Sequence, residues 1–328
     1  MNAVLQEAPT THLELLVKQV RMEAKGINSY EFVSPDGEPL PPFTAGAHID
    51  IHAAPGLVRQ YSLCNSPSDR HRYVIAVLKD LNGRGGSAAV HENIKVGDIV
   101  RVSVPRNNFE LQTDAGKVYL LAGGIGVTPM KSMAHQLEAQ GIPYELYYCS
   151  RGAEFAAFQD ELEELAVAGK VRFHFDGGDP NNSLDIAGLL QNPGEESHLY
   201  YCGPGGFMEA CKAASQHWPS GTVHFEHFKA PVKEPANDVG TEDGFTAEIA
   251  STGEKLHIAP EQNLAEALQQ AGYPVETSCL SGLCGTCKIG YLAGEVDHQD
   301  FILNDSERGS CMTACVSRAK SSTILLDL

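Results

Sequence analysis

Five of the nine cysteines in this 328-residue chain crowd into its last fifty positions, and their spacing suits one kind of chemistry. Cys279, Cys284 and Cys287 form a C-x4-C-x2-C run, and Cys315 follows further on. Thiolates at such a spacing ligate the irons of a two-iron two-sulfur cluster. The residues between them, Ser281, Gly282, Gly285 and Thr286, are small or polar, which lets backbone N–H groups wrap closely round a sulfide-rich anion. A structural zinc site, the first alternative, would be expected to show C-x2-C pairs twice. Unrelated buried thiols are the second. Cys311 competes with Cys315 as the fourth ligand.

The run Gly123-Gly124-Ile125-Gly126-Val127-Thr128-Pro129 follows an apolar stretch at 118–122. Three glycines let the chain turn tightly and bring backbone N–H groups to an anionic pyrophosphate, while Pro129 opens a helix whose N-terminus favours negative charge. Such a turn can be purely structural, so a second element matters. The stretch 198–202 ends in Cys202-Gly203-Pro204, with Met208 behind it on a helix. Two glycine-bearing strand ends on one sheet can flank a single dinucleotide.

Arg59-Gln60-Tyr61-Ser62-Leu63, with Gly83-Arg84-Gly85-Gly86-Ser87 downstream, offers an aromatic plane, a hydroxyl, and a guanidinium with glycine-rich amides for a phosphate. Alone, Arg-x-Tyr-Ser is also an ordinary half-buried strand. His48 and His52 are four apart in a strand-like run, where that spacing separates them, so they are not expected to hold a metal. Cys64, Cys149 and Cys211 are expected to be buried small hydrophobes, and Trp218 to pack.

The elements that must position these residues fall into three parts. Between 12 and 113, short alternating runs (13–20, 47–51, 73–78, 99–104) separated by Pro and Gly clusters predict an antiparallel β-barrel or sandwich. From 116 to 230, apolar strands at 118–122, 144–149, 171–175, 198–202 and 222–225 alternate with helices at 129–140, 154–167, 184–190 and 205–217. That alternation predicts a parallel, doubly wound α/β sheet with ligands at the carboxyl ends of its strands. Residues 230–243 are polar and carry Pro, Asn and Gly, which reads as a linker. From 244 a small α+β unit follows: strands at 245–250 and 255–258, a helix at 264–271, the cysteine loop and a closing strand at 323–326.

In this order the motifs resemble the phthalate dioxygenase reductase family of the ferredoxin–NADP reductase superfamily, over nearly the whole chain. The resemblance implies a multidomain protein: an antiparallel β-barrel flavin domain (1–113), an α/β doubly wound nicotinamide domain (114–231), a linker (232–243) and an α+β (β-grasp) plant-type 2Fe-2S ferredoxin domain (244–328). It implies that Arg59, Tyr61, Ser62 and Leu63 line the flavin, with Ser62 near N5, and that Arg84, Gly85, Gly86 and Ser87 hold its phosphate. Gly124, Gly126, Thr128 and Pro129 would meet the nicotinamide cofactor, with Cys202 beside the nicotinamide and Gly203 and Pro204 also binding the cofactor. In 223–228 it places an aromatic against the flavin, here Phe225, with Phe228 as the fallback. Ser62, Cys202 and Phe225 are then the catalytic set, and Cys279, Cys284, Cys287 and Cys315 the cluster ligands. FMN is expected rather than FAD. NADH is favoured over NADPH because Glu154 and Asp176 would repel the 2′-phosphate that Arg151 invites.

The expected activity is electron transfer from NADH through FMN and a 2Fe-2S cluster to a separate terminal oxygenase, of the Rieske non-haem iron type. The alternatives are a stand-alone NADH-dependent flavin reductase or oxidase, and a cluster-based redox sensor. The 42 acidic against 24 basic side chains disfavour nucleic acid and membrane surfaces as partners. Half of that deficit lies in 233–328, where 15 Asp or Glu face 6 Lys or Arg, so a basic patch on a protein acceptor would be steered there, although acidic surface also aids solubility. No apolar run of membrane length and no secretory leader is visible, so a cytoplasmic location is expected.

Overall fold

The computed structural model describes residues 12–230 and 244–328. The chain forms two compact units, divided after Glu226. The expected linker at 232–243 lies outside the described residues.

The first unit opens with six strands: β1 (His12–Ala24), β2 (Ile27–Val33), β3 (His48–Ala54), β4 (Leu57–Ser62), β5 (Tyr73–Leu78) and, after the helix α1 (Gly86–Asn93), β6 (Ile99–Ser103). They form an antiparallel sheet in the order β4-β3-β6-β1-β2-β5. Alternation decides which face is filled: Ile49, Ile51 and Ala53 of β3 enter the barrel core with Leu15, Val17, Tyr30 and Phe32. The helix α1 was not expected; Gly86 and Ser87 are weak helix formers, and burial of Val90 in the barrel core anchors it.

The same unit continues with β7 (Lys117–Gly123), α2 (Val127–Gln140), β8 (Tyr144–Ser150), α3 (Gln159–Val167), β9 (Val171–Phe175), α4 (Ile186–Leu190), β10 (Ser197–Cys202), α5 (Gly205–Ala214) and β11 (Val223–Glu226). All five strands are parallel, in the order β11-β10-β7-β8-β9. One face packs on α2 and α3 through Met130, Met133, Leu137 and Leu162, and the other on α4 and α5 through Ile186, Leu190, Met208 and Cys211. Burial on both faces explains the near-continuous apolar text of β7. From β7 the chain winds to β8 and β9 on one side, then crosses to β10 and β11 on the other. The switch point therefore lies between the carboxyl ends of β7 and β10.

Four helices differ from expectation, the one expected at 184–190 running only from Ile186 to Leu190. The one expected at 154–167 is cut into a 3-10 turn at Ala153–Phe155 and α3, because Phe158 sits at φ 62. The one expected from 129 begins at Val127, after a 3-10 turn at Gly124–Gly126, so Pro129 lies inside the first turn. The one expected to 217 ends at Ala214. Trp218 packs, its indole N–H donating to the Leu190 carbonyl at 3.0 Å. Cys64 and Cys211 are buried, whereas Cys149 is only partly so.

The second unit contains β12 (Phe245–Ile249), β13 (Lys255–Ile258), α6 (Leu264–Gln270), β14 (Lys288–Ala293), β15 (Val296–Asp297), α7 (Asp305–Arg308), β16 (Cys311–Thr313), β17 (Arg318–Ala319) and β18 (Thr323–Asp327). Its five-stranded sheet runs β13-β12-β18-β14-β16, with β12 and β18 parallel at its centre. The sheet grasps α6 through Leu264, Ala265 and Leu268, which is the β-grasp arrangement. Among the described residues no helix is long and apolar enough to cross a membrane.

Candidate functional site

At the barrel, Arg59 on β4 runs across Gly86 at the start of α1, where a Cβ would lie 2.3 Å from the guanidine Nε. Its Nη2 donates to the Arg84 carbonyl at 3.2 Å and its Nη1 to that of Val58 at 2.7 Å. Gly85 caps α1 in the left-handed conformation, and no side chain caps the helix amides. The Ser87 hydroxyl accepts the Asp80 N–H at 2.9 Å and so keeps its own proton to donate. A guanidinium, a hydroxyl and uncapped amides at a glycine cradle fit a phosphate group. Tyr61 packs against the barrel core, and burial raises its phenol well above the ordinary value. Leu63 differs from the expectation that it lines the ring. Its side chain is fully buried in the core and its N–H is donated to Ala47 at 2.8 Å.

At the switch point the two glycine-bearing strand ends press together. A Cβ at Gly126 would lie 2.1 Å from the Cys202 carbonyl oxygen, and one at Gly203 would lie 3.0 Å from the Gly123 Cα. Gly124, at φ +55, has open space beside it, which suits close approach of a ligand to backbone. No side chain caps the N-terminus of α2. Thr128 is buried and its hydroxyl donates to the Ile125 carbonyl at 3.1 Å, so it holds the turn. Beyond β8, the Arg151 guanidinium lies over the Phe155 ring at 4.4 Å. After β9, the Asp176 carboxylate accepts the Gly178 N–H at 2.7 Å.

Barrel and sheet meet at Glu226, a residue that no motif singles out. Cys202 pairs in register with Glu226 and Tyr201 with Phe225, so Glu226 shares the face of Cys202 while Phe225 points the other way. The Ser62 hydroxyl donates to Glu226 Oε2 at 3.4 Å. Although a little of its surface is accessible, Glu226 is packed deeply enough that burial pushes its carboxyl up to about 8, with the Ser62 hydrogen bond opposing. Burial thus favours the neutral carboxyl over the carboxylate at this site. Burial, the larger cause, and the Glu226 carboxylate where it is ionised hold the Cys202 thiol well above its usual range. Phe225 stacks on Tyr201 (5.4 Å, 24°) and is 44% exposed. Phe228 is exposed too, but it falls beyond this unit. The signal for Glu226 was present: strand alternation alone carries it to the Cys202 face.

In the second unit Cys279, Cys284, Cys287 and Cys315 are all buried. They lie as two pairs. The Cys279 thiol hydrogen-bonds Cys284, pushing it down to about 6, and the Cys287 thiol likewise lowers Cys315. Among the described residues no three His, Cys, Asp or Glu side chains gather as round one metal ion. Two pairs fit the two irons of a 2Fe-2S cluster. Leu280, Gly282 and Gly285 take left-handed conformations, and the Leu283 N–H donates to Cys279 Sγ at 3.4 Å. A Cβ on Gly282 would meet Asp300 Cα at 3.0 Å, so only glycine fits there. The Cys315 carbonyl accepts from Asn263 Nδ2 at 2.9 Å and the Cys287 carbonyl from the Ala314 N–H at 3.0 Å. Cys311 is a strand residue of β16, paired with Gly290, and is only partly buried.

Comparison with known proteins agrees with this geometry. Residues 247–320 match the 2Fe-2S iron-sulfur cluster binding domain and residues 120–213 the oxidoreductase NAD-binding domain. The chain is 51% identical over 327 residues to the tert-butanol monooxygenase / tert-amyl alcohol desaturase reductase subunit of Aquincola tertiaricarbonis, covering 98% of this chain and 97% of the relative. It is 42% identical to the phthalate dioxygenase reductase of Burkholderia cepacia, covering 96% and 97%. Among solved structures, a phthalate dioxygenase reductase described as modular for electron transfer from pyridine nucleotides to [2Fe-2S] matches with a TM-score of 0.74 at 42% identity, over 97% of this chain and 98% of that one. An intact type IV self-sufficient cytochrome P450 monooxygenase matches with a TM-score of 0.86 at 36% identity, over 97% of this chain and 41% of that one. The chain belongs to the phthalate dioxygenase reductase family.

Proposed function

We propose that the chain is the reductase component of a multicomponent oxygenase, taking electrons from NADH through FMN and a 2Fe-2S cluster to a terminal oxygenase of the Rieske type in the cytoplasm. The single observation that carries the reading is the meeting of Ser62 with Glu226 beside Cys202, which brings the barrel motif to the dinucleotide switch point. Bound flavin supplies the exchange between a two-electron hydride and single electrons, which NADH and an iron–sulfur centre cannot make directly.

Arg59, Arg84 and the Gly85-Gly86-Ser87 cradle hold the FMN phosphate, and this compact site favours FMN over FAD. Tyr61 flanks the ring, and Phe225, exposed at the end of β11, is the aromatic offered from the sheet. Ser62 places its hydroxyl near N5 and is itself oriented by Glu226, whose Oε2 accepts the Ser62 hydroxyl and whose burial favours the neutral carboxyl. Gly124, Gly126 and the head of α2 seat the pyrophosphate, with Cys202, Gly203 and Pro204 beside the nicotinamide. Thr128 and Pro129 shape that turn. Glu154 and Asp176 oppose a 2′-phosphate, while Arg151 is engaged with Phe155. Cys279, Cys284, Cys287 and Cys315 ligate the cluster.

The oxygenase partner is supported by relatives named as reductase subunits of tert-butanol monooxygenase and phthalate 4,5-dioxygenase. The likeness to a self-sufficient P450 favours a haem acceptor as the second reading. Three measurements test the proposal: the absorption spectrum before and after anaerobic NADH, the mass of the released flavin, and electron delivery to a purified Rieske oxygenase compared with a P450. Flavin and cluster bands that bleach together, a mass equal to FMN and preference for the Rieske protein are expected. A colourless protein, or one whose bands ignore NADH, would overturn it.

A further inference from the structure

The helix α2, which starts at the nicotinamide seat, reaches back to the barrel with three polar side chains. Lys131 is only 4% exposed. Its Nζ donates to the Cys64 carbonyl at 3.3 Å, pairs with Glu161 at 2.7 Å and lies 4.7 Å from the centre of the Phe158 ring. Ser132, fully buried, donates its hydroxyl to the Asn65 carbonyl at 3.0 Å, and Gln136 Oε1 accepts the Ala45 N–H at 3.2 Å. Cys64 and Asn65 come two and three residues after Ser62.

Burying an ammonium is costly unless it is paired. The seat for this one also holds Phe158 at φ 62, a backbone conformation a bulky side chain adopts only where its surroundings force it. An apolar residue would fill the same space without either demand. What Lys131 adds is a directional tie from α2 to the backbone next to Ser62. We propose that Lys131, helped by Ser132, is a positioning residue that sets the distance and angle between the nicotinamide seat at the head of α2 and the flavin seat at Ser62.

The inference rests on the functional reading above. In that step the C4–H bond of NADH breaks, its hydrogen and electron pair form the N5–H bond of the flavin, and NAD+ and the reduced flavin anion result. Transfer over such a short contact is sensitive to placement, with an ångström costing on the order of a hundredfold.

The test is Lys131→Met in the holoprotein, followed by anaerobic stopped-flow with NADH. Glu161 is 43% exposed, so the variant leaves no buried charge behind, and its flavin and iron contents should match the parent. The flavin-reduction rate at saturating NADH should fall about tenfold or more while the NADH dissociation constant stays within about threefold. The long-wavelength absorbance of nicotinamide stacked on flavin should weaken with it. Ser132→Ala should shift rate and band in the same direction, and it carries the test if Lys131→Met does not fold. A parental rate with an undiminished band, or a loss that merely follows lost flavin or weaker NADH binding, overturns the inference alone. A parent protein that NADH does not reduce overturns the functional reading and this inference with it.

Discussion

Gly126→Ala is the sharpest single perturbation of the switch point. The added Cβ would lie 2.1 Å from the Cys202 carbonyl oxygen, 2.5 Å from its carbon and 2.9 Å from the Gly203 nitrogen, all of them backbone atoms that cannot swing aside. Ordinary contact begins near 3.4 Å, so the turn and the end of β10 must separate by about 1 Å. Overpacking of this kind costs about 1–3 kcal/mol. In a unit of this size each kcal/mol lowers Tm by about 2–4 °C, so a fall of several degrees is expected. The same displacement moves the nicotinamide seat relative to Ser62, and flavin reduction should slow by on the order of a hundredfold. Gly124→Ala is the control. Its site is open but its φ is +55, so it should cost about 1–2 kcal/mol of backbone strain without parting the strands. Thermal unfolding and anaerobic stopped-flow read both variants. A Gly126→Ala protein with the parental Tm and reduction rate would refute the argument that the apposed ends of β7 and β10 seat the dinucleotide.

Three further outcomes follow from named residues. Arg59→Ala or Arg84→Ala should weaken FMN retention by about ten- to a hundredfold, the worth of one charge-assisted hydrogen bond, with iron content unchanged; equal loss of both cofactors would indicate general unfolding instead. Cys315→Ser should lose or strongly perturb the cluster and Cys311→Ser should not, read by iron and sulfide content with electron paramagnetic resonance of the reduced protein; the reverse pattern would exchange the two assignments. Glu226 has its folded-state pKa raised to about 8 by burial. Between its unfolded value near 4.3 and about 8 the folded state binds the extra proton, so this group's effect on stability turns unfavourable as pH rises through that window. The Tm advantage of Glu226→Gln over the parent should therefore grow from about pH 5 to about pH 8 and then level off, and an advantage independent of pH would show that the carboxyl is not held neutral.

What the sequence made legible was local. The cysteine spacing, the glycine turn after β7 and the Cys202-Gly203-Pro204 end of β10 each carry their chemistry within a few residues, and periodicity placed them on strand ends. What it hid was made by distant parts of the chain coming together. Glu226 gains its character only when β11 lies beside β10 and Ser62 arrives from the barrel, 164 positions away in sequence. The break at Phe158 has no glycine or proline to announce it, and the Lys131 contact on its ring forms only in the tertiary structure. The helix α1 opens on Gly86 and Ser87, weak helix formers that mask it, and Leu63 shares the ring motif yet packs fully into the barrel core, which only the folded barrel reveals.

The central claim is that one chain passes reducing equivalents from NADH through the Ser62–Glu226–Cys202 site to the thiolate-held cluster. Its most direct test is rapid-freeze electron paramagnetic resonance of the holoprotein mixed anaerobically with one equivalent of NADH, with flavin absorbance followed in parallel. The account predicts that flavin absorbance falls first and that the signal of a reduced two-iron cluster then grows at the flavin's expense, with Cys315→Ser retaining the first phase and lacking the second. Flavin that bleaches fully while the cluster stays silent would contradict it.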